Sequence, residues 1–512
     1  MKLYYLAFVA IFGLALSCKN SSQSTTEYTP PVPSDKNGKE LSEIYCASCH
    51  AYPDPSLLDK KTWMDKLLPN MGARLGIKTP NYDPYKGYSQ IEQMLIEGLE
   101  TYPTQPRIHQ SDWDKIIAYY KTTAPEKLDL SRPDTEFGEL TFFKPKKVNT
   151  NSYAPVVTLA KFDTTNHEIY IGLLNGKLMR YDLDLKIKQH YQVYAAPVDV
   201  SVFKDSTFEI LGAGELNPNE QSTGIISSFD KKKNLQVGRE IMRELKRPVQ
   251  FNRIDLNNDG QDEIFVAEYG YESGMLTWYE KKKNSWKRRL LSNQSGASKI
   301  LFHDFNKDGQ KDVAVLFAQG DEHISIYYNK GLGEFEERVI LRFPPVYGSA
   351  DMQLIDFNKD GHIDILYTNG DNADYSAILK PYHGVRLFLN DGKDNFNQKW
   401  FYPLFGAFQA KAADFDKDGD YDIATSSFFP ADEKIPSSNF LYLEQKSPLQ
   451  FEPKTFKQAN LGKWMTMDIG DIDQDGDTDI LLGSFMLSMR MGDMPVMPND
   501  KTTPFLLLLN NN

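Results

Sequence analysis

Cysteine is scarce, with Cys18, Cys46 and Cys49 the only three in 512 residues. The pair that could bridge, Cys46 and Cys49, spans two intervening residues, and a disulfide that short does little for stability. Basic clusters interleaved with aromatics are missing, which excludes nucleic acid as a partner. Long hydrophobic runs are missing too. The single candidate, Leu3 to Leu16, is too short and too close to the N-terminus to span a membrane. The composition, 40% hydrophobic and 25% charged, describes a soluble globular chain, and its length calls for two or more structural units.

Lys2, the apolar run and Ser17-Cys18 form a signal peptide over 1–18. Small residues before a cysteine resemble a bacterial lipoprotein signal, although Ala15 stands where leucine is usual. The resemblance implies that Cys18 becomes the lipidated first residue of the mature chain; an ordinary secretory signal cleaved nearby is the alternative. Residues 19–36 are polar and rich in Ser, Thr and Pro, and read as a flexible tether. The expectation is an exported protein anchored by lipid in the outer membrane of a Gram-negative bacterium, facing the periplasm or the surface. Its contact with the membrane is expected through the anchor only.

Residues 37–125 form the front unit. Cys46-Ala-Ser-Cys49-His50 has the spacing with which two thiols add across the vinyl groups of one haem while the adjacent imidazole binds its iron. Leu41, Ile44 and Tyr45 lie on one helical face leading into the motif. In "SDWDKIIAYYKTTAP", Ser111 and Asp114 read as a capping box, with Trp113, Ile116, Ile117 and Tyr120 at helical spacing. The stretch resembles a class I c-type cytochrome, implying one covalent haem c on Cys46 and Cys49, with His50 and a methionine as axial ligands. Many of these cytochromes place that methionine before a proline ahead of the last helix, but here Tyr102 precedes Pro103. Met64 and Met94 fall inside helical patterns and read as core residues. Met71, in "LLPNMGARLG", lies where Pro69 and Gly72 are expected to break the helix, and is the preferred ligand ahead of His109. Residues 126–136 form a linker.

Five segments of 137–512 share Asp-x-Asn/Asp-x-Asp-Gly-x-x-Asp/Glu. Their candidate ligands are Asp255, Asn257, Asp259, Gln261 and Glu263; Asp304, Asn306, Asp308, Gln310 and Asp312; and Asp356, Asn358, Asp360, His362 and Asp364. The last two sets are Asp414, Asp416, Asp418, Asp420 and Asp422, then Asp471, Asp473, Asp475, Asp477 and Asp479. Side-chain oxygens at positions 1, 3, 5 and 9, a backbone carbonyl at 7 and glycine at 6 describe a calcium loop. An EF-hand would need glutamate at position 12, where Val266 and Val315 stand, and β-branched runs rather than helices follow the loops. About five Ca²⁺ are expected, enough to cancel most of the formal charge of −12.

The loops begin 49, 52, 58 and 57 residues apart, which is propeller-blade spacing. With the "Asn-x-Gly" signals in "SIYYNKGLGEF" and "RLFLNDGKDNF", they resemble FG-GAP (VCBS) repeats, which implies an integrin-α-like β-propeller. Residues 159–182 and 200–214 repeat the strand pattern without the ligands, giving seven blades. The chain ends at "FLLLLNNN", a third strand, so 137–148 is expected to complete the last blade. The fold class is thus a small all-α cytochrome-like unit followed by an all-β seven-bladed propeller.

Insertions at 369–384, 426–439 and 484–504 share one topological position and emerge on one face, with His383, Phe428, Phe429 and Asp432 as binding candidates. Met486, Met489, Met491, Met494 and Met497 suit Cu(I) or an apolar docking surface. His303 is expected to point into a strand pair. The favoured function is electron transfer, with the propeller docking a redox partner protein or receiving a small-molecule donor. One alternative makes the propeller a dehydrogenase; quinone-cofactor enzymes fused to cytochromes carry a tryptophan in every blade, whereas only Trp278, Trp286, Trp400 and Trp464 fall in this ring. The other makes it a polysaccharide-binding module with the haem as accessory.

Overall fold

A computed structural model describes residues 28–131, 136–148, 154–233, 236–283, 285–373, 378–431, 435, 437–486 and 502–512. Cys18, Asp432, Met489, Met491, Met494 and Met497 lie outside these described residues.

From Val157 onward the chain forms six blades of four strands, over 157–192, 197–245, 248–292, 297–342, 349–403 and 407–455, and three strands of a seventh over 464–509. In each blade the chain runs from the innermost strand outwards. Second strands such as Asp312–Phe317 and Asp364–Asn369 are buried at every residue because neighbouring blades cover both of their faces. Two-sided burial accounts for their unbroken apolar runs. Outermost strands such as Ser285–Ser292 face water and are rich in charge.

An innermost strand pairs on one edge only, which leaves backbone donors facing the axis. Side chains of the preceding blade accept from them. Asp199 Oδ2 takes the Phe251 N–H at 3.1 Å, Gln250 Oε1 that of Ile300 at 2.6 Å, and Gln353 Oε1 that of Ala412 at 2.7 Å. Gln409 Oε1 takes the Met467 N–H at 2.5 Å, and Asp468 Oδ2 takes that of Phe162 at 2.9 Å. Lys299 and Asp351 join blades four and five at 3.1 Å, and Thr158 Oγ1 donates to the Pro197 carbonyl between blades one and two.

The ring closes through 137–148 as expected, but only part of the segment completes the last blade. Lys144–Lys147 supplies the outermost strand of blade seven, antiparallel to Phe505–Leu509. Gly138–Glu139 instead adds a fifth, parallel strand to blade six at Lys454 and Thr455. Between these pairings Leu140 and Phe143 are buried in the core that blades six and seven share. The segment therefore bridges two blades.

The front unit has five α-helical segments among its described residues: α1 (Gly38–Tyr45), α2 (Lys60–Thr62), α3 (Leu68–Arg74), α4 (Gln90–Gly98) and α5 (Gln110–Thr123). Gly38 lets α1 cross α5 closely, since a Cβ there would lie 2.2 Å from the Lys115 carbonyl oxygen. A π turn, Trp63–Leu67, joins α2 to α3, and Pro69 is accommodated at the start of α3. Three sequence expectations are corrected. Met71 and Gly72 lie inside α3, so Pro69 and Gly72 do not break the helix there. His109, not Ser111, caps α5, accepting from the Ser111 N–H. Met94 is 71% exposed, so it does not belong to the core.

The helical unit packs on the propeller face opposite the Asp/Asn-rich loops. Arg74 pairs with Glu272 at 2.5 Å, and Glu92 accepts the Glu220 N–H at 3.1 Å. Glu220 in turn accepts the Glu272 N–H at 2.7 Å, which closes a circuit across the interface. The insertions of blades five and six hold the front of the chain in place. Ile378 packs on the helical core, while Leu379, Phe405, Ala431 and Ile435 enclose Leu130 of the linker and Phe137 just after it. Gln353→Leu removes an acceptor for Ala412 N–H and a donor to its carbonyl; we expect a loss of roughly 1–3 kcal/mol, read as a lower urea midpoint.

Candidate functional site

Two sites emerge on opposite faces. On one face, the five acidic loops share a single backbone. Position 4 is left-handed in each, with φ of 59° at Asn258, 59° at Lys307, 58° at Lys359, 60° at Lys417 and 64° at Gln474. The glycines at position 6 have φ from 81° at Gly260 to 96° at Gly419, and a Cβ added at any of the five would meet nothing within 4 Å. Glycine is therefore required for its dihedral angle rather than for space.

In blade three Asp255 accepts the Asp259 and Gly260 N–H groups, and Asn257 accepts from Asp259, which accepts from Gln261. The same set recurs at Asp304–Gln310 and Asp356–His362. Position 9 opens the second strand and is buried in all five loops. Asp312, for example, accepts the Phe305 N–H at 2.9 Å and the Asn329 N–H at 2.8 Å. His362 contributes its backbone at position 7, with its ring packed over Gly392.

The loops divide by charge compensation. In blades three to five the position-3 asparagine turns its amide N–H toward the position-5 carboxylate, as in Asn306 to Asp308 at 3.0 Å. Blades six and seven have aspartate there and lack that donor. Asp414, Asp416 and Asp418 bring carboxylate oxygens within 4.8 Å of one another, as do Asp471, Asp473 and Asp479. Among the described residues, buried oxygens of Asp414, Asp420, Asp471, Asp473 and Asp477 have no hydrogen-bond partner. Burial, with neighbouring carboxylates adding, pushes Asp422 and Asp479 up to about 7 and Asp477 up to about 6. Orphaned oxygens in an all-oxygen donor set fit a hard divalent cation, calcium above all.

Blade one resolves the same problem with protein charge, which sequence reading missed. Glu168 opens its second strand at the place of a position-9 carboxylate. Lys231, reaching over from blade two, bonds Asp163 Oδ2 at 2.7 Å and Glu168 Oε2 at 3.0 Å, and Arg180 also pairs with Glu168.

On the opposite face, Cys46 ends α1 with its N–H on the Ser42 carbonyl, and Cys49 is exposed; neither is disulfide-bonded. Burial pushes the Cys46 thiol up to about 11, which argues against an activated thiolate nucleophile. His50 is half-buried, and its Nδ1 lies 2.8 Å from the Ala51 carbonyl oxygen. With Nδ1–H donating there, Nε2 keeps the lone pair a metal needs. Burial lowers the His50 pKa, partly opposed by Asp321 of blade four and reinforced by Arg74 and Arg342. Met71 packs beside the helical core one turn before Arg74, on the same side of α3, and Arg74 is close enough for its charge to act on His50. His109 is engaged as a helix cap through Nδ1. Sequence reading missed Arg74, Asp321 and Arg342 around the motif, two of them supplied by the propeller.

The remaining candidates have structural surroundings. His383 is 1% exposed, Phe428 is buried against Phe429 and Phe485, and His303 lies edge-on to Phe305.

Residues 255–315 and 304–367 match the FG-GAP-like repeat family. The protein therefore carries FG-GAP repeats, in blades three to five of a seven-bladed β-propeller, an architecture suited to a binding module. Among solved structures the chain is similar to the N-terminal domain of Nup159, at 10% identity over 73% of this chain and 97% of that one, TM-score 0.42. It is also similar to the Neurospora crassa Pan2 WD40 domain, at 12% identity over 72% and 96%, TM-score 0.44. No curated protein matches.

Calcium in these loops would show as a melting temperature lowered by a chelator, each occupied site contributing about 2.7 kcal/mol at a hundredfold excess of calcium over Kd. Asp473→Ala should shrink that shift in calorimetry, whereas an unchanged melting profile would count against the ion. Gly309→Ala, at a φ of 88°, should cost about 1–2 kcal/mol although nothing crowds the position.

Proposed function

We propose that the protein is an exported, lipid-anchored electron-transfer protein. It would hold one covalent haem c on Cys46 and Cys49, with His50 and Met71 as axial ligands and Cys18 as the lipidated residue. The propeller is its calcium-stabilised docking module, carrying about five Ca²⁺. The arrangement at His50 carries the reading: a half-buried imidazole with Nδ1 engaged by a carbonyl, next to two unbridged cysteines. Bound haem would supply a one-electron redox couple. The chain's own part is to orient the imidazole through Ala51, to exclude water with the α1, α3 and α5 core, and to set the local charge with Arg74, Arg342 and Asp321.

The redox partner or small-molecule donor would be met on the face where the helical unit and the propeller join, because propeller groups already act on His50 there. Absorption spectra of protein matured with haem-attachment machinery test the reading. A six-coordinate, low-spin spectrum indifferent to carbon monoxide is expected in wild type, and a carbon-monoxide-binding spectrum in Met71→Ala. Protein that takes up no haem would overturn it.

A further inference from the structure

Thirteen large apolar side chains are exposed among the described residues, and seven of them precede residue 100. Four form one stripe: Ile91 is 74% exposed, Met94 71%, Leu95 48% and Leu99 49%. Their spacing puts them on a single face of α4 and its C-cap. The opposite face is committed to protein. Ile96 is fully buried, and Glu92 serves the capping box with Ser89 while accepting the Glu220 N–H from blade two. These bonds fix the rotation of α4 about its axis, so the apolar side cannot turn inward.

The chain outside the described residues indicates what covers the stripe. The described part begins at Tyr28, whose hydroxyl donates to the Pro106 carbonyl at 3.0 Å. Leu99 is seven residues from Pro106, so the two are no more than about 25 Å apart. Cys18 is ten residues before Tyr28, a reach of about 35 Å. We propose that the α4 stripe inserts shallowly into the bilayer surface in which the protein is anchored, a surface of zwitterionic phospholipid headgroups. The proposal rests on the lipid-anchor reading. Residues 90–99 contain no lysine or arginine, and Glu97 is among them, so apolar burial rather than attraction to anionic lipid drives the contact. A second copy is the poorer occupant, because four side chains offer roughly a few hundred Å², short of the roughly 800 Å² per partner of a stable interface. Insertion of α4 would present the helical unit to the membrane and hold the acidic loops on the far side.

The test uses the full lipidated chain in phosphatidylethanolamine-rich vesicles with a membrane-partitioned carbene reagent, the labelled peptides being mapped by mass spectrometry. The α4 peptide should label strongly, and Met94→Asp with Leu95→Asp should cut that label about tenfold while the protein still floats with the vesicles. Label on α4 no higher than on the propeller peptide holding Leu332, which is 99% exposed, would overturn the proposal and leave the anchor standing. Protein that neither floats nor carries acyl mass on Cys18 would overturn both. Protection of α4 without vesicles, together with a doubled mass in solution, would assign the stripe to a second copy and also overturn it.

Discussion

The propeller depends on satisfying the free edges of its innermost strands. A blade leaves backbone N–H groups facing the axis, where no strand can pair with them. The chain answers with carboxylates and primary amides that reach across five of the seven gaps, such as Gln353 to Ala412 and Asp468 to Phe162. Every such bond joins two blades, so the accounting of backbone polarity and the cohesion of the ring are one arrangement. Lys161 with Asp468, and Lys299 and Lys411 with Asp351, add matched charge along the same lining.

Charge compensation organises the outer turns in a similar way. A buried carboxylate at the start of a second strand receives backbone donors from its own loop and from the third strand, but its negative charge still needs a counterpart. Blade one provides Lys231 and Arg180. Blades three to five provide an asparagine amide beside the loop carboxylates. Blades six and seven leave carboxylate oxygens unanswered, and these are the loops with the strongest demand for an external cation.

Much of the propeller was legible because its loops fix both residue type and spacing: Gly309 or Gly476 cannot move without losing the left-handed turn. The two ligand-free blades were legible from strand pattern alone. What escaped reading depended on partners distant in sequence. Lys231 serves a blade other than its own, and the division of 137–148 between blades six and seven depends on the outer edge at Lys454. Met94 has the period of a core residue, yet the side of α4 turned inward was chosen by Glu92 and its bond to Glu220. The Cys46–His50 motif was plain in sequence, whereas the charges acting on His50 come from blade four and from α3.

The strand that closes the ring is made early and its partner much later. Lys144–Lys147 must wait for Phe505–Leu509, more than 350 residues later, before the last blade has its full complement of strands. Contacts so distant in sequence close late in folding. A chain emerging N-terminus first would carry its helical unit and six blades while the seventh gap stayed open. Closure thus depends on one late strand: a chain without Phe505–Leu509 would display an open edge, the feature by which proteases and holding chaperones tell unfinished proteins from finished ones.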